Sequence, residues 1–216
     1  MNLPDYSTFV FDCDGVVLDS NHIKTEAFRQ AALPFGEAAA EALVDWHVAN
    51  GGISRYRKFE HFLSAIVPQG ARGPDLQRLL ACYAATVREG LMRCAVAPGL
   101  QELRTATRHA RWLIVSGGDQ AELREIFAER GLADLFDGGI FGSPDSKDTI
   151  LARELKTDNI TPPALFLGDS TYDHRAAQGA GLDFMFVTAW TEARTWGEYV
   201  RDHQLTSITH LCRLLS

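Results

Sequence analysis

The chain has 216 residues, 46% hydrophobic and 23% charged, which excludes a disordered protein and gives room for one domain with an insertion or for two modest domains. A formal net charge of -7, with Lys and Arg scattered, leaves no basic footprint for nucleic acid. No apolar run approaches the roughly 18 to 20 residues that span a bilayer, and Met1-Asn2-Leu3-Pro4-Asp5 lacks the basic start and apolar core of a signal peptide, so the expectation is a cytoplasmic protein without a membrane partner.

In chain order, Thr8 to Phe11 are apolar or β-branched and run into Asp12-Cys13-Asp14-Gly15, which reads as a buried strand ending in a tight turn. Side chains two apart on a strand share a face, so Asp12 and Asp14 can address one ligand while Cys13 points away. Two acids this close resist ionising together unless a cation joins them, so the spacing asks for Mg2+ or a shared proton. A calcium loop of the EF-hand type is excluded, because it needs an acid or amide at position 16 and Gly at 17, and both are Val. Cys13, Cys82, Cys94 and Cys212 are far apart and form no CxxC or Cys/His cluster, which argues against structural zinc and against a disulfide framework. Cys13 is expected as a small buried hydrophobe rather than a nucleophile.

Ser20-Asn21 is placed to cap a helix from about His22 to Leu33, and Glu37 to Val48 reads as a second. Ser54 caps a third, to about Val67, with Arg55, Arg57 and Lys58 in its first turns, where the helix dipole disfavours cations; the conflict points to a facing anion, and the alternative is a set of solvated side chains. Asp75 to about Met92 is a fourth helix, with Leu76, Leu79, Leu80, Tyr83 and Val87 at helical spacing.

Beyond Pro98-Gly99 the texture changes. Helices over 99–109, 119–130, 146–155 and 172–180 alternate with short apolar strands at Trp112–Ser116, near Gly139–Phe141, at Ala164–Gly168 and at Phe184–Val187. This alternation predicts an α/β fold, a Rossmann-like parallel sheet with helices on both faces. A crossover between parallel neighbours needs about a dozen residues, whereas about a hundred separate Phe11 from Leu113. The expected division is therefore a core of residues 1–19 and 96–216 with an inserted helical cap at 20–95.

In open parallel sheets ligands bind at the carboxyl ends of the strands. Three further strand ends carry chemistry. Ser116-Gly117-Gly118 offers a hydroxyl and loosened backbone N–H groups suited to a phosphoryl oxygen; Lys147 sits at a helix start; Asp169 and Asp173 lie in Gly168-Asp169-Ser170-Thr171-Tyr172-Asp173. Taken singly, each also reads as a turn, a solvated lysine or an N-cap.

The order of these residues resembles the haloacid dehalogenase-like (HAD) superfamily over the whole chain: DxDGxx at 12–17, Ser116, Lys147 and GDSxxD at 168–173. The resemblance implies Asp12 as nucleophile and Asp14 as general acid/base, its pKa raised by neighbouring carboxylates. It implies a phosphoryl group held by Ser116, Gly117 and Lys147, and Mg2+ on Asp12, Asp169 and the backbone carbonyl of Asp14, with Asp173 supporting the metal or orienting Lys147. The dehalogenase branch lacks the second acid of the first motif. Many relatives have proline after the lysine; here Asp148 stands there and could pair with Lys147. Gly52-Ile53-Ser54-Arg55 looks like the cap loop of β-phosphoglucomutase-type members, which implies Arg55 as a clamp on a distal phosphate, with Lys24 as a second recognition residue. The expected function is a Mg2+-dependent phosphatase acting on a small phosphorylated metabolite such as a sugar phosphate. A phosphomutase is the alternative, and a non-catalytic phospho-ligand sensor is disfavoured because Asp12, Asp14 and Asp169 are all present.

Overall fold

A computed structural model describes residues 3–215. Its centre is a parallel sheet in the order β3-β2-β1-β4-β5-β6, formed by β1 (Thr8–Phe11), β2 (Arg111–Asp119), β3 (Gly139–Ser143), β4 (Ala164–Gly168), β5 (Asp183–Val187) and β6 (Thr206–Ile208). This is the doubly wound arrangement, in which the chain leaves β1 first to one side and then to the other and opens a crevice where the direction reverses. Phe11 stands beside Ile114 of β2 and Leu167 of β4, so β1 and β4 end together at that crevice while β2 runs on past it.

The period of two along each strand builds both layers. Phe9, Phe11, Trp112, Ile114, Leu165 and Leu167 belong to one apolar cluster, whereas Val10, Leu113, Val115 and Phe166 belong to the other with Ile150, Leu151, Ala176 and Ala177 of the covering helices. The first cluster continues into the helices inserted between β1 and β2: α1 (Asn21–Ala32), α2 (Glu37–Ala49), α3 (Arg55–His61) and α4 (Leu76–Arg93). Ala27, Phe28, Leu43, Phe59, Phe62, Leu79, Tyr83 and Val87 are buried there, and Phe28 meets Tyr83 with ring centroids 4.3 Å apart. The remaining helices are α5 (Leu100–Ala106), α6 (Gln120–Glu129), α7 (Lys147–Lys156), α8 (Thr171–Gly179) and α9 (Trp196–Asp202).

Some boundaries differ from the sequence reading for local reasons. Ser20 makes no cap to α1, because its hydroxyl donates to Asp14 Oδ1 at 2.6 Å. The third helix ends at His61 and passes into a π-helical turn, Phe62–Ile66. The second strand runs on through Ser116-Gly117-Gly118 to Asp119, with a register shift against β3 after Val115, and Asp119 then caps α6 by accepting from Glu122 N.

Candidate active site

At the end of β1 the backbone is still in sheet register, with Asp12 N donating to Leu167 O at 2.9 Å, so the Asp12 carboxyl is delivered to the crevice 3% exposed. Asp169 follows β4 directly, and Asp173 lies in the first turn of α8; one carboxylate oxygen from each of Asp12, Asp169 and Asp173 falls within 4.8 Å of the others. The loop can pass only as glycine at position 15: φ is +77°, and a Cβ there would lie 2.2 Å from Asp169 Oδ2.

Lys147 opens α7, where the helix dipole disfavours it, and carboxylates offset that cost. Its Nζ lies 2.8 Å from Asp12 Oδ1 and donates to Asp173 Oδ1. Burial lowers the lysine's pKa, but Asp12 and Asp173 outweigh it and hold the group above its ordinary value. The other Asp173 oxygen accepts from Ser170 N at 3.1 Å and Ser170 Oγ at 2.6 Å, within a capping box that fixes α8. Asp173 is thus a holder of Lys147. Asp148 does not pair with Lys147; its side chain turns outward and accepts from the Tyr172 hydroxyl at 2.6 Å.

Asp12 Oδ1 is buried and meets the Lys147 ammonium at 2.8 Å. Burial pushes the Asp12 carboxyl up to about 7, with Asp173 and Asp14 adding and Lys147 opposing; burial, then Asp12 and Asp173, push Asp169 well above the usual carboxylate range. Buried carboxylate oxygens that face one another, from Asp12, Asp169 and Asp173, are a donor set that fits a hard divalent cation.

The Asp14 side chain points away from that trio. It accepts from Ser20 Oγ and from Lys24 Nζ, and Ser116 Oγ lies 3.5 Å from its Oδ2. Burial raises its pKa, but Lys24, the Ser20 hydroxyl and Lys147 outweigh burial and hold the carboxyl below its ordinary value. The expectation that neighbouring carboxylates raise Asp14 is therefore reversed, because its close partner is an ammonium group.

Above the strand ends lies a cavity of about 320 Å³, walled below by Asp12, Asp14, Gly117, Gly118 and Asp169 and from the inserted helices by Lys24, Phe28, His47, Arg55, Lys58 and Tyr83. Ser116 Oγ accepts from Gly118 N at 2.9 Å, which shapes the loop so that Gly117 meets the insertion: a Cβ on Gly117 would lie 2.2 Å from Gly52 O. Arg55 borders the cavity, but its guanidinium fork is occupied: Nη1 and Nη2 donate to Glu122 Oε2 and Oε1 at 2.9 and 2.6 Å, and the group stacks over Tyr83. The anion expected to face the third helix is therefore a residue of α6. Of the other two cations there, Arg57 is solvated and Lys58 is not, being 2% exposed. Lys58 Nζ donates to His47 Nδ1 at 2.6 Å; burial, with Lys24 adding, pushes its pKa down to about 7.

Sequence reasoning missed several residues of the site. Asn21 Nδ2 donates to Asp169 Oδ2 at 2.7 Å and to Trp190 O at 2.8 Å, and Thr191 Oγ1 donates to Asp169 O at 2.6 Å. The loop after β5 therefore secures Asp169, and nothing in its local sequence announces that. Lys58 carried a readable signal: Arg55, Lys58, Phe59 and Phe62 follow the i, i+3, i+4, i+7 spacing of a buried helix face.

Comparison with known proteins adds the following. The sequence profile of the haloacid dehalogenase-like hydrolase family matches residues 6–181. Curated proteins give no match. Among solved structures, a Lactobacillus delbrueckii subsp. bulgaricus protein assigned as a phosphoglycolate phosphatase superposes with a TM-score of 0.72 at 18% identity, over 98% of this chain and 97% of its own. A Bacteroides fragilis protein assigned as a haloacid dehalogenase-like hydrolase gives 0.73 at 20% identity, over 97% and 99%. CbbY from Rhodobacter sphaeroides, solved in complex with phosphate, gives 0.65 at 20% identity, over 88% of each chain.

Proposed function

Since the chain belongs to the haloacid dehalogenase-like hydrolase family, we propose that it is a Mg2+-dependent phosphatase that hydrolyses a small phosphorylated metabolite through an aspartyl-phosphate on Asp12, in the cytoplasm. The observation that carries this reading is the buried carboxylate cluster of Asp12, Asp169 and Asp173 at a cavity floored by Asp12 and Asp169, with Lys147 2.8 Å from Asp12 Oδ1. Residues 20–95 act as the cap that encloses the substrate. No helix among the described residues is long and apolar enough to cross a membrane.

In this mechanism Asp12 attacks phosphorus, the ester P–O bond breaks, and the leaving oxygen takes a proton from Asp14. Water then attacks the phosphoryl group, gives its proton back to Asp14, and frees phosphate and Asp12. Without substrate Lys24 holds Asp14 as a carboxylate, the form required for the second half; the first half requires that Asp14 take up a proton as the anionic phosphoryl group enters. Lys147, Ser116 Oγ and the Gly117 N–H hold the phosphoryl oxygens. Asp12, Asp169 and the Asp14 carbonyl would hold Mg2+, with Asp173 supporting them through Lys147; when bound, Mg2+ neutralises the charge between nucleophile and phosphoryl oxygens.

The test is phosphate release from a panel of phosphorylated metabolites with Mg2+ and with chelator. Mg2+-dependent release is expected, and Asp12→Asn lowers it on the order of 10³-fold or more with an unchanged melting curve. Full activity in Asp12→Asn, or no release from any phosphomonoester, sinks the reading; isomerised substrate without free phosphate replaces it with a phosphomutase.

A further inference from the structure

Four cationic side chains line the cavity: Lys24, Arg55, Lys58 and Arg194. Three are neutralised by carboxylates, Lys24 by Asp14, Arg55 by Glu122 at 2.6 Å and Arg194 by Asp45 at 2.8 Å. Among the described residues Lys58, fully enclosed, makes hydrogen bonds only to His47, to Nδ1 at 2.6 Å and to the carbonyl at 3.5 Å. No carboxylate among the described residues pairs with it.

The surroundings hold this ammonium group in place. Thr25 Oγ1 donates to Glu192 Oε2 at 2.5 Å, so it accepts from His47 Nε2 at 3.0 Å, and His47 Nδ1 is thereby left as an acceptor for Lys58. Glu192, the acid that ends the chain, is separated from the lysine by two intervening groups. Phe28 closes one side, 5.4 Å from Nζ to ring centroid. A desolvated ammonium group with no acid partner among the described residues, on the wall that the inserted helices give to the cavity floored by Asp12, is complementary to an anion that arrives with the ligand.

We infer that Lys58 is a specificity-determining residue that reads a second negative charge on the leaving-group side of the substrate, so that the enzyme takes phosphomonoesters with an anionic tail. This deepens the phosphatase reading and rests on it for the chemistry at the other end. Arg55, anchored to Glu122, supports the wall. A carboxylate and a second phosphate share the required chemistry, and the test separates them.

The experiment measures binding by titration calorimetry with Mg2+ to the full chain carrying Asp12→Asn, so that no turnover is needed. The ligands are short ω-carboxyalkyl phosphates, the matching bisphosphates and neutral ω-hydroxyalkyl phosphates of equal length. An anionic tail is expected to tighten binding roughly 10- to 100-fold over the neutral one, and adding Lys58→Met is expected to remove that preference. In the otherwise intact enzyme the same preference falls in KM rather than kcat. Lys58→Gln is the second variant, should Lys58→Met not fold. Equal binding of charged and neutral tails, or a preference that survives both substitutions, overturns the inference. If no phosphomonoester is hydrolysed but the Lys58-dependent preference is present, the phosphatase reading fails and this assignment stands; hydrolysis without the preference gives the reverse.

Discussion

Asn21 is the first residue of α1, yet its amide bridges Asp169 and the carbonyl of Trp190 instead of capping the helix. A group that orients a ligating carboxylate typically changes metal affinity 10- to 100-fold when removed, so Asn21→Ala is expected to raise the Mg2+ concentration for half-maximal phosphate release by roughly tenfold, leaving kcat at saturating Mg2+ within about threefold. A titration of activity against Mg2+ checks this. Lys58 gives a prediction of a different kind. Burial moves its pKa from 10.5 to about 7 in the folded protein. Below about pH 7 it is charged in both states. Between about 7 and 10.5 the unfolded chain binds a proton that the folded chain does not, so stability rises with pH across that window. Lys58→Met removes this slope. It should melt a few degrees above the unsubstituted protein at pH 6 to 7, with the gap closing towards pH 10; thermal melts across that range decide it.

At the scale of elements, two helices start with cations against the dipole, and each has a tertiary reason. The Lys147 ammonium at the head of α7 meets Asp12 and Asp173, and Arg55 at the head of α3 meets Glu122 on α6. The local conflict was visible in sequence, but the anion that resolves it lies dozens of residues away. The loop after β2 works similarly. Glycine at 117 suits a phosphate-binding turn, but the close requirement is the Gly52 carbonyl of the inserted helices, which a Cβ would approach to 2.2 Å. Gly117→Ala is therefore expected to push the Gly52 loop off the strand ends, lowering kcat/KM at least about tenfold while circular dichroism retains the sheet and helices. Elements past Val187 escaped the sequence reading, because β6 is a three-residue edge strand and α9 buries no residue, so neither leaves a periodic apolar signal.

For the whole molecule, the question is how the inserted helices are held over the sheet. Apolar contact is continuous between them, and the polar links across it include Lys24–Asp14, Asn21–Asp169, Arg55–Glu122, Thr25–Glu192, Tyr56–Asp119, Arg88–Glu129 and the exposed pair Arg194–Asp45. Arg55–Glu122, away from the catalytic carboxylates, is deeply buried, with side chains 5% and 13% exposed. Glu122→Ala leaves a buried guanidinium without its counter-ion and is expected to cost about 3 kcal/mol, a fall in Tm of roughly 6–12 °C, whereas Asp45→Ala should change Tm by less than about 2 °C. Parallel thermal melts of the two variants test the contrast.

Sequence alone determined the alternating strands and helices, the long insertion after β1, and the polar residues at four strand ends, because burial on two faces, crossover length and strand-end chemistry are properties of neighbouring residues. It could not determine which charges pair. Asp14 sits low rather than high because Lys24 reaches it, Arg55 is anchored because Glu122 lies opposite, and Lys58 is enclosed against His47 and Phe28. Electrostatic state depends on distance and burial between segments remote along the chain, and only the folded arrangement supplies those.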